Sequence, residues 1–298
     1  MRQSGKRPGI LKRIARREFL ISVQLDPPSP GMFPKFNDSL KKLRRAGVKV
    51  FDVNSSRRIC HDSIQLASEL CGTSADVIAH ITTRDSSVNG LLNQILAAYE
   101  WSDLKNFLVI TGDPYESKQA VFPSRGVFQT DSIGALKAID WQFRKNLARP
   151  LNIVLAAAVN QNEHDRAKEG KRIEEKIAAG TDIFMSQPVF DSVQADELFK
   201  FYGEHSARPL FVGVWPTLNL KTIENIRAGS VEGVRLPRKE YSELISSFTD
   251  ENELRRKSAE RTIGLVRHIR SSGKATGIYI VAPSRNPLLL LPILKELL

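Results

Sequence analysis

Short runs of Val, Ile, Leu and Phe recur along the chain, separated by segments whose apolar residues fall three or four apart. The runs predict strands over 19–25, 48–53, 77–82, 107–111, 152–159, 182–186, 210–215 and 277–281. Most are apolar at nearly every position, as strands of a parallel sheet covered on both faces require. Between them, Leu40, Leu43 and Ala46 share one helical stripe, Leu91, Ile95 and Ala98 a second, and Ile133, Leu136 and Ile139 a third. Ala179-Gly180 marks a helix end before the sixth strand, because Gly readily takes the left-handed conformation that stops a helix. Eight such units predict an α/β fold, a single (βα)8 TIM barrel over 18–298. The stretch between the last two strands is too long for one helix. It predicts extra helices over 222–228, 241–248 and 251–272 before the last strand. An open doubly wound sheet is the alternative, but no G-x-G-x-x-G follows a strand.

Composition adds limits. In 298 residues, 41% are hydrophobic and 26% charged, values that disfavour disorder, collagen and coiled coil. The net charge is +11, and residues 1–17 supply seven of it with no acid among them. That segment reads as a solvated, flexible basic tail in preference to a nucleic-acid or membrane arm. It lacks the apolar centre of a signal peptide. No apolar run approaches the roughly 20 residues of a membrane span. Cys60 and Cys71 cannot build a disulfide framework or a Cys-based metal site, and a reducing, cytoplasmic setting is the expectation. No metal is expected, since His and the acids show no ligand spacing such as H-E-x-x-H. No nucleophile motif such as G-x-S-x-G occurs either.

In a barrel of this kind the chemistry sits at the C-terminal ends of the strands. Polar residues collect there: Gln24 and Asp26 after the first strand, Asp52 and Asn54 on the second, and His80, Thr82, Arg84 and Asp85 on the third. Thr111-Gly112-Asp113-Pro114 follows the fourth, Asn160-Gln161-Asn162 the fifth, Ser186-Gln187-Pro188 the sixth and Ser284-Arg285-Asn286 the eighth. Each has a bland reading, such as a core His or a turn-starting Asp. Their convergence on one rim favours a site.

These strand ends resemble the methylenetetrahydrofolate reductase family from about Phe19 to the C-terminus. The resembling pieces are Ser22 to Pro28, His80-Ile81-Thr82, Thr111 to Pro114, Asp131-Ser132-Ile133, Glu175 to Gly180, Ser186 to Asp191, Gly213 to Pro216 and Gly233 to Pro237. The wording of Leu25-Asp26-Pro27-Pro28 and Thr111-Gly112-Asp113-Pro114 is nearest the branch whose reductase domain can be fused to a homocysteine methyltransferase. The resemblance implies a flavoprotein of one-carbon metabolism and methionine biosynthesis. Such an enzyme passes hydride from NADH or NADPH through FAD to 5,10-methylenetetrahydrofolate, giving 5-methyltetrahydrofolate. It implies Asn54, His80, Thr82 and Asp113 in the cofactor set, with Phe128, Ala158 and Lys176 along the ribityl and nucleotide part. Gln187 matches the residue that hydrogen-bonds the pterin, and Leu220 a position where nicotinamide and folate stack. Arg285 matches a cation near the glutamate tail. Folate and a nicotinamide dinucleotide are then the implied partners, and a second copy or another protein partner stays open.

One departure bears on catalysis. The family pattern has Glu where this chain has Gln24. Methylenetetrahydrofolate opens its five-membered ring to an iminium cation before it accepts hydride, and opening needs a proton on the departing nitrogen. Acid catalysis of this sort is typically worth roughly 10²–10⁴-fold. An amide can hold the pterin but has no titratable proton to give. Gln24 and Asp113 are therefore the catalytic candidates, and Gln24, Asp113, Gln187, Leu220 and Arg285 the substrate set. Asp113, Asp26 or a water replaces the acid, or the substrate is another one-carbon pterin, or the chain is an inactive paralogue or an engineered Glu-to-Gln variant that traps substrate. A pterin-binding methyltransferase-type barrel and a non-catalytic partner subunit are the readings from other classes.

Overall fold

The computed structural model describes residues 9–71, 75–115, 125–246, 250–283 and 286–298. Eight parallel strands close in sequence order into a barrel. They are β1 Leu20–Leu25, β2 Val50–Val53, β3 Asp76–Thr82, β4 Asn106–Ile110, β5 Val154–Val159, β6 Ile183–Val189, β7 Leu210–Val214 and β8 Gly277–Val281. The helices that return the chain are α2 Phe33–Arg45, α3 Ser63–Cys71, α4 Val88–Ser102, α5 Ser132–Asp140, α6 Arg166–Ala178 and α7 Ser192–His205. The extra helices are α8 Leu220–Arg227, α9 Arg238–Ser246 and α10 Glu251–Ser272, with α11 Leu291–Leu297 closing the chain.

Strand alternation divides the core in two. Val23, Leu25, Phe51, Val53, Val77, Ala79 and Ile81 pack outward with the helices. Leu20, Val50, Ile78, Leu108, Ala156, Met185, Phe211 and Tyr279 form a second cluster. By strand parity these eight fill the barrel, because neighbouring side chains point to opposite faces. The same parity turns Ser22, Gln24 and Asp52 inward, so the interior changes from apolar at the N-terminal end to polar at the C-terminal end. The βα loops end in carboxylate or amide caps: Asp131, Asp165, Asp191 and Asn219 accept from the first turns of α5 to α8. Gly180 closes the turn before β6 at φ +96°, and a Cβ there would sit 2.6 Å from the Asp140 carboxyl carbon.

Two expectations need correction. Residues 10–15 of the basic tail form a helix, α1 Ile10–Ala15. Ile10 is fully buried in the barrel-interior cluster, with Leu11 and Ile14 packed against it. Arg13 donates to Glu18 at 2.8 Å and to Asp76, the first residue of β3, at 2.9 Å. The charges of the segment concealed this apolar face. Strand β6 also runs on to Val189, so Gln187 and Pro188 stand within it, at a register shift between Met185 and Pro188.

Candidate functional site

The inner surface at the C-terminal end starts with a polar row, buried at Ser22, Asp52 and His80 and half-buried at Gln24. Gln24 on β1 is the register partner of Asp52 on β2. Asp52 is fully buried, as is Ser22, whose hydroxyl donates to Asp52 Oδ2 at 2.5 Å. His80 Nε2 on β3 lies 3.2 Å from Asp52 Oδ1, an ion-pair distance when the ring is protonated. The two atoms are off the line a hydrogen bond needs, and neither has another partner. Tyr279 on β8 donates to the Ser186 carbonyl at 2.6 Å, and burial, then the Asp52 charge, push its phenol above the usual range.

Above this row the β2, β3 and β4 ends are tied together. Asn54 donates to Asp26 at 3.0 Å. Arg84, almost fully buried, forks onto both oxygens of Asp85 at 2.8 and 2.6 Å. It also reaches the Ser56 carbonyl at 3.0 Å and the Asp113 carbonyl at 3.3 Å. Thr82 donates to Asp85 at 2.8 Å, and the Tyr115 hydroxyl donates to it as well. Burial alone would raise the Asp85 carboxyl, but hydrogen bonds from Arg84, Tyr115 and Thr82 outweigh it and hold the group low. The Asp113 side chain is exposed, with Arg57 Nε at 4.0 Å. Gly112 takes φ +83° here, and a Cβ would meet Thr82 at 3.1 Å.

A cavity of about 270 Å³ opens beside β4 and β5, lined by Ile110, Thr111, Ala158, Lys168, Arg172 and Lys176 among others. Lys176 is buried and committed: its amine donates to the Ala158 carbonyl at 2.7 Å and lies 3.6 Å from Glu169. Burial pushes this amine down, against the pull of Glu169. Phe128, partly exposed, holds φ +39° and bonds its amide to the Thr83 carbonyl at 3.2 Å. On β6, the Gln161 side chain clasps the Gln187 backbone, accepting its N–H at 3.0 Å and donating to its carbonyl at 2.8 Å. The Gln187 side chain stays half-exposed beside Gly233.

The structure thus brings Gln24, Asn54, His80, Thr82, Asp113, Ala158 and Gln187 to one rim. Leu220 is the first residue of α8, half-buried after its cap Asn219. Arg285 lies outside the described residues. Sequence reasoning named Ser22, Asp52, Arg84, Asp85 and Gln161 but gave none of them a role, and it missed the Ser22–Asp52 pair, the Arg84–Asp85–Tyr115 latch and the Gln161 clasp. An Asp inside the apolar run Val50-Phe51-Asp52-Val53 was the available signal for the first pair. Among the described residues no group of three His, Cys, Asp or Glu could hold a metal ion. No described helix is long and apolar enough to cross a membrane.

A methylenetetrahydrofolate reductase family model matches residues 10–297. The chain belongs to the methylenetetrahydrofolate reductase family. No curated protein matches the sequence. Among solved structures, this family member is similar to an uncharacterized protein from Clostridium thermocellum that binds two copies of 5-methyl-5,6,7,8-tetrahydrofolic acid. The identity is 16% and the TM-score 0.67, over 97% of this chain and 98% of that one. A 2,3-dimethylmalate lyase of the PEP mutase/isocitrate lyase superfamily follows at 11% identity and TM-score 0.54, over 95% of this chain and 81% of that one. At such identities the likeness is one of fold.

Proposed function

We propose that this family member binds a reduced folate at the C-terminal rim and reduces methylenetetrahydrofolate with hydride from NADH or NADPH by way of FAD. Its folate step is limited by Gln24. The observation that carries this reading is the polar rim itself. Residues matching the family's site stand on six consecutive strand ends, above an interior that is otherwise apolar. Folate binding by the Clostridium thermocellum protein supports the substrate class.

The residues fit a flavin nucleotide. Asp52 Oδ1 and His80 Nε2 are buried without a hydrogen-bond partner at the polar end of the barrel, and the 270 Å³ cavity would have room for one phosphate-bearing part. Asn54, His80, Thr82 and Asp113 would hold the ring system, and Phe128 and Ala158 the ribityl and nucleotide part. Lys168 and Arg172 line that cavity and would face the phosphates in place of the committed Lys176. A bound flavin supplies a two-electron carrier that takes hydride from a nicotinamide and gives it to the folate.

The chain's own groups divide the remaining work. The Gln187 amide offers donors and an acceptor to the pterin edge, and the Gln161 clasp fixes its backbone. Gln24 can hydrogen-bond the pterin but has no proton to deliver to the departing ring nitrogen. The Asp52 carboxylate, one strand away in the same row, favours the developing iminium cation electrostatically. A folate-binding protein without turnover is the second reading, favoured by Gln24 and by the engagement of Lys176.

Both ligands act on the folded state only, so each must stabilise it. Thermal unfolding with added FAD and with added 5-methyltetrahydrofolate should show an upward shift for each. A colourless protein shifted by folate alone selects the second reading, and no shift with either ligand overturns both.

A further inference from the structure

Strand β6 carries one residue more than its neighbour. Met185 pairs with Phe211 on β7 and Pro188 with Gly213, so three steps on β6 run beside two on β7. Such an extra residue is a β-bulge, which bends the strand and re-aims its side chains. The alternation reverses across it: Met185 fills the interior cluster, while Val189, four residues on, packs in the outer layer. In a regular strand these two would share a face. Ser186 and Gln187 occupy the bulge. The Gln187 side chain leaves it beside Gly233, where a Cβ would lie 3.2 Å from the Gln187 amide.

A bulge breaks ladder bonds, and buried backbone groups must find partners elsewhere. Side chains supply them here. The buried Tyr279 on β8 reaches past β7, and its hydroxyl donates to the Ser186 carbonyl at 2.6 Å. Gly213, its register partner on β7, lets it pass, since a Cβ there would lie 2.5 Å from the hydroxyl oxygen. The Gly213 N–H bonds to the Ser186 hydroxyl oxygen at 3.0 Å, and that hydroxyl donates to the Gln187 carbonyl at 2.9 Å. On the other edge the β5 ladder ends at the pair Val159 and Ser186. The buried Gln161 amide takes the next place, accepting from the Gln187 N–H at 3.0 Å and donating to its carbonyl at 2.8 Å. Burial holds the Tyr279 phenol above its usual range, so the hydroxyl remains a donor at neutral pH.

We infer that Tyr279 is a positioning residue for the Gln187 amide: from the barrel interior it fixes the bulge that aims Gln187 at the ligand, while Gln161 fixes the same bulge from the β5 side. This rests on the folate reading for the rim, in which Gln187 meets the pterin. Tyr279 acts through the Ser186 carbonyl and needs no contact with the ligand.

Calorimetric binding of 5-methyltetrahydrofolate at pH 5.5 and pH 8.5 tests it in wild type, Tyr279→Phe and Gln161→Glu, with and without Gln187→Ala. Tyr279→Phe removes one hydroxyl and keeps the ring, and should weaken binding about tenfold at both pH values, the order of one lost hydrogen bond. Gln161→Glu carries its own control for folding. A protonated carboxyl offers one donor and one acceptor as the amide does, whereas a carboxylate only accepts and would face the Gln187 carbonyl. Burial raises the new carboxyl, so the acid form is favoured at the lower pH. This variant should therefore match wild type at pH 5.5 and bind about tenfold more weakly at pH 8.5. Glu163 and His164 in the β5–α6 loop, Glu169 and Lys176 on α6, Arg235 beyond Gly233 and Asp52 near Tyr279 are common to both proteins, so the wild-type profile isolates position 161. In the Gln187→Ala background neither substitution should weaken binding further, because residues that act through one group are not additive. Losses of the same size with and without the Gln187 amide would mean a general loosening and overturn the proposal. So would unchanged affinity in both single variants of a protein that binds folate. A wild type that binds no folate removes the folate reading, and the proposal with it.

Discussion

Gln24 and Asp52 are register partners across β1 and β2, so a carboxylate already stands beside the amide proposed to occupy the acid's position. Restoring Gln24→Glu would place a half-buried carboxyl beside the buried carboxyl of Asp52. Like charge and burial both raise a carboxyl pKa, which keeps the new side chain partly protonated near neutral pH. Folate turnover is expected to rise about tenfold or more, within the span of a positioned acid, with the nicotinamide step little changed. Steady-state product formation from pH 5 to 9 reads this out, and an unchanged rate would place the proton source elsewhere. Asp52→Asn probes the other partner. It weakens the charge-assisted bond from Ser22 and removes the charge beside His80. Leaving buried polar groups poorly paired costs about 1–3 kcal/mol. Urea unfolding should show that loss, and folate turnover should fall with it. A variant as stable as wild type would mean that the buried row does not depend on the Asp52 charge.

Helix α1 and the β3–β4 latch show how single elements complete the barrel. Ile10 closes the interior from the N-terminal side, so Ile10→Ala should cost about 2–5 kcal/mol in urea unfolding, as other buried Ile truncations do. Deleting residues 1–17 should lower the melting temperature for the same reason. Unaltered stability in both variants would show that the plug is dispensable. This element escaped the sequence reading because seven cations in 17 residues outweighed the spacing of Ile10, Leu11 and Ile14. The latch makes a pH-dependent contribution. Asp85 is held low by Arg84, Tyr115 and Thr82, so its contribution is present above the ordinary carboxylate range. It is lost as pH falls below about 4, through the depressed folded value. Stability measured from pH 2 to 6 should therefore fall less steeply in Asp85→Asn than in wild type. Parallel curves would remove the latch from the acid response.

At the scale of the whole molecule, the eight strands and their closure were legible because continuous apolar runs and helical stripes alternate without interruption. The extra helices before β8 were legible too: 251–272 coincides with α10, while α8 and α9 begin two and three residues before the expected 222 and 241. The rim positions were legible where polar residues follow a strand, as at Asn54 and Asp113. They were less so where a polar residue sits inside one, as at Asp52, because burial makes such a residue look like an exception to the pattern. Side-chain commitments such as Lys176 to the Ala158 carbonyl depend on packing that no spacing encodes. The central claim is that the rim serves reductase chemistry whose folate step, and only that step, lacks its acid. The direct measurement is an anaerobic experiment on the purified, flavin-loaded protein that follows reduction by NADH or NADPH and reoxidation by methylenetetrahydrofolate separately, in wild type and Gln24→Glu. The expected result is similar reduction in both and reoxidation at least about tenfold faster in the variant. Equal reoxidation in the two proteins, or no reduction in either, would contradict it.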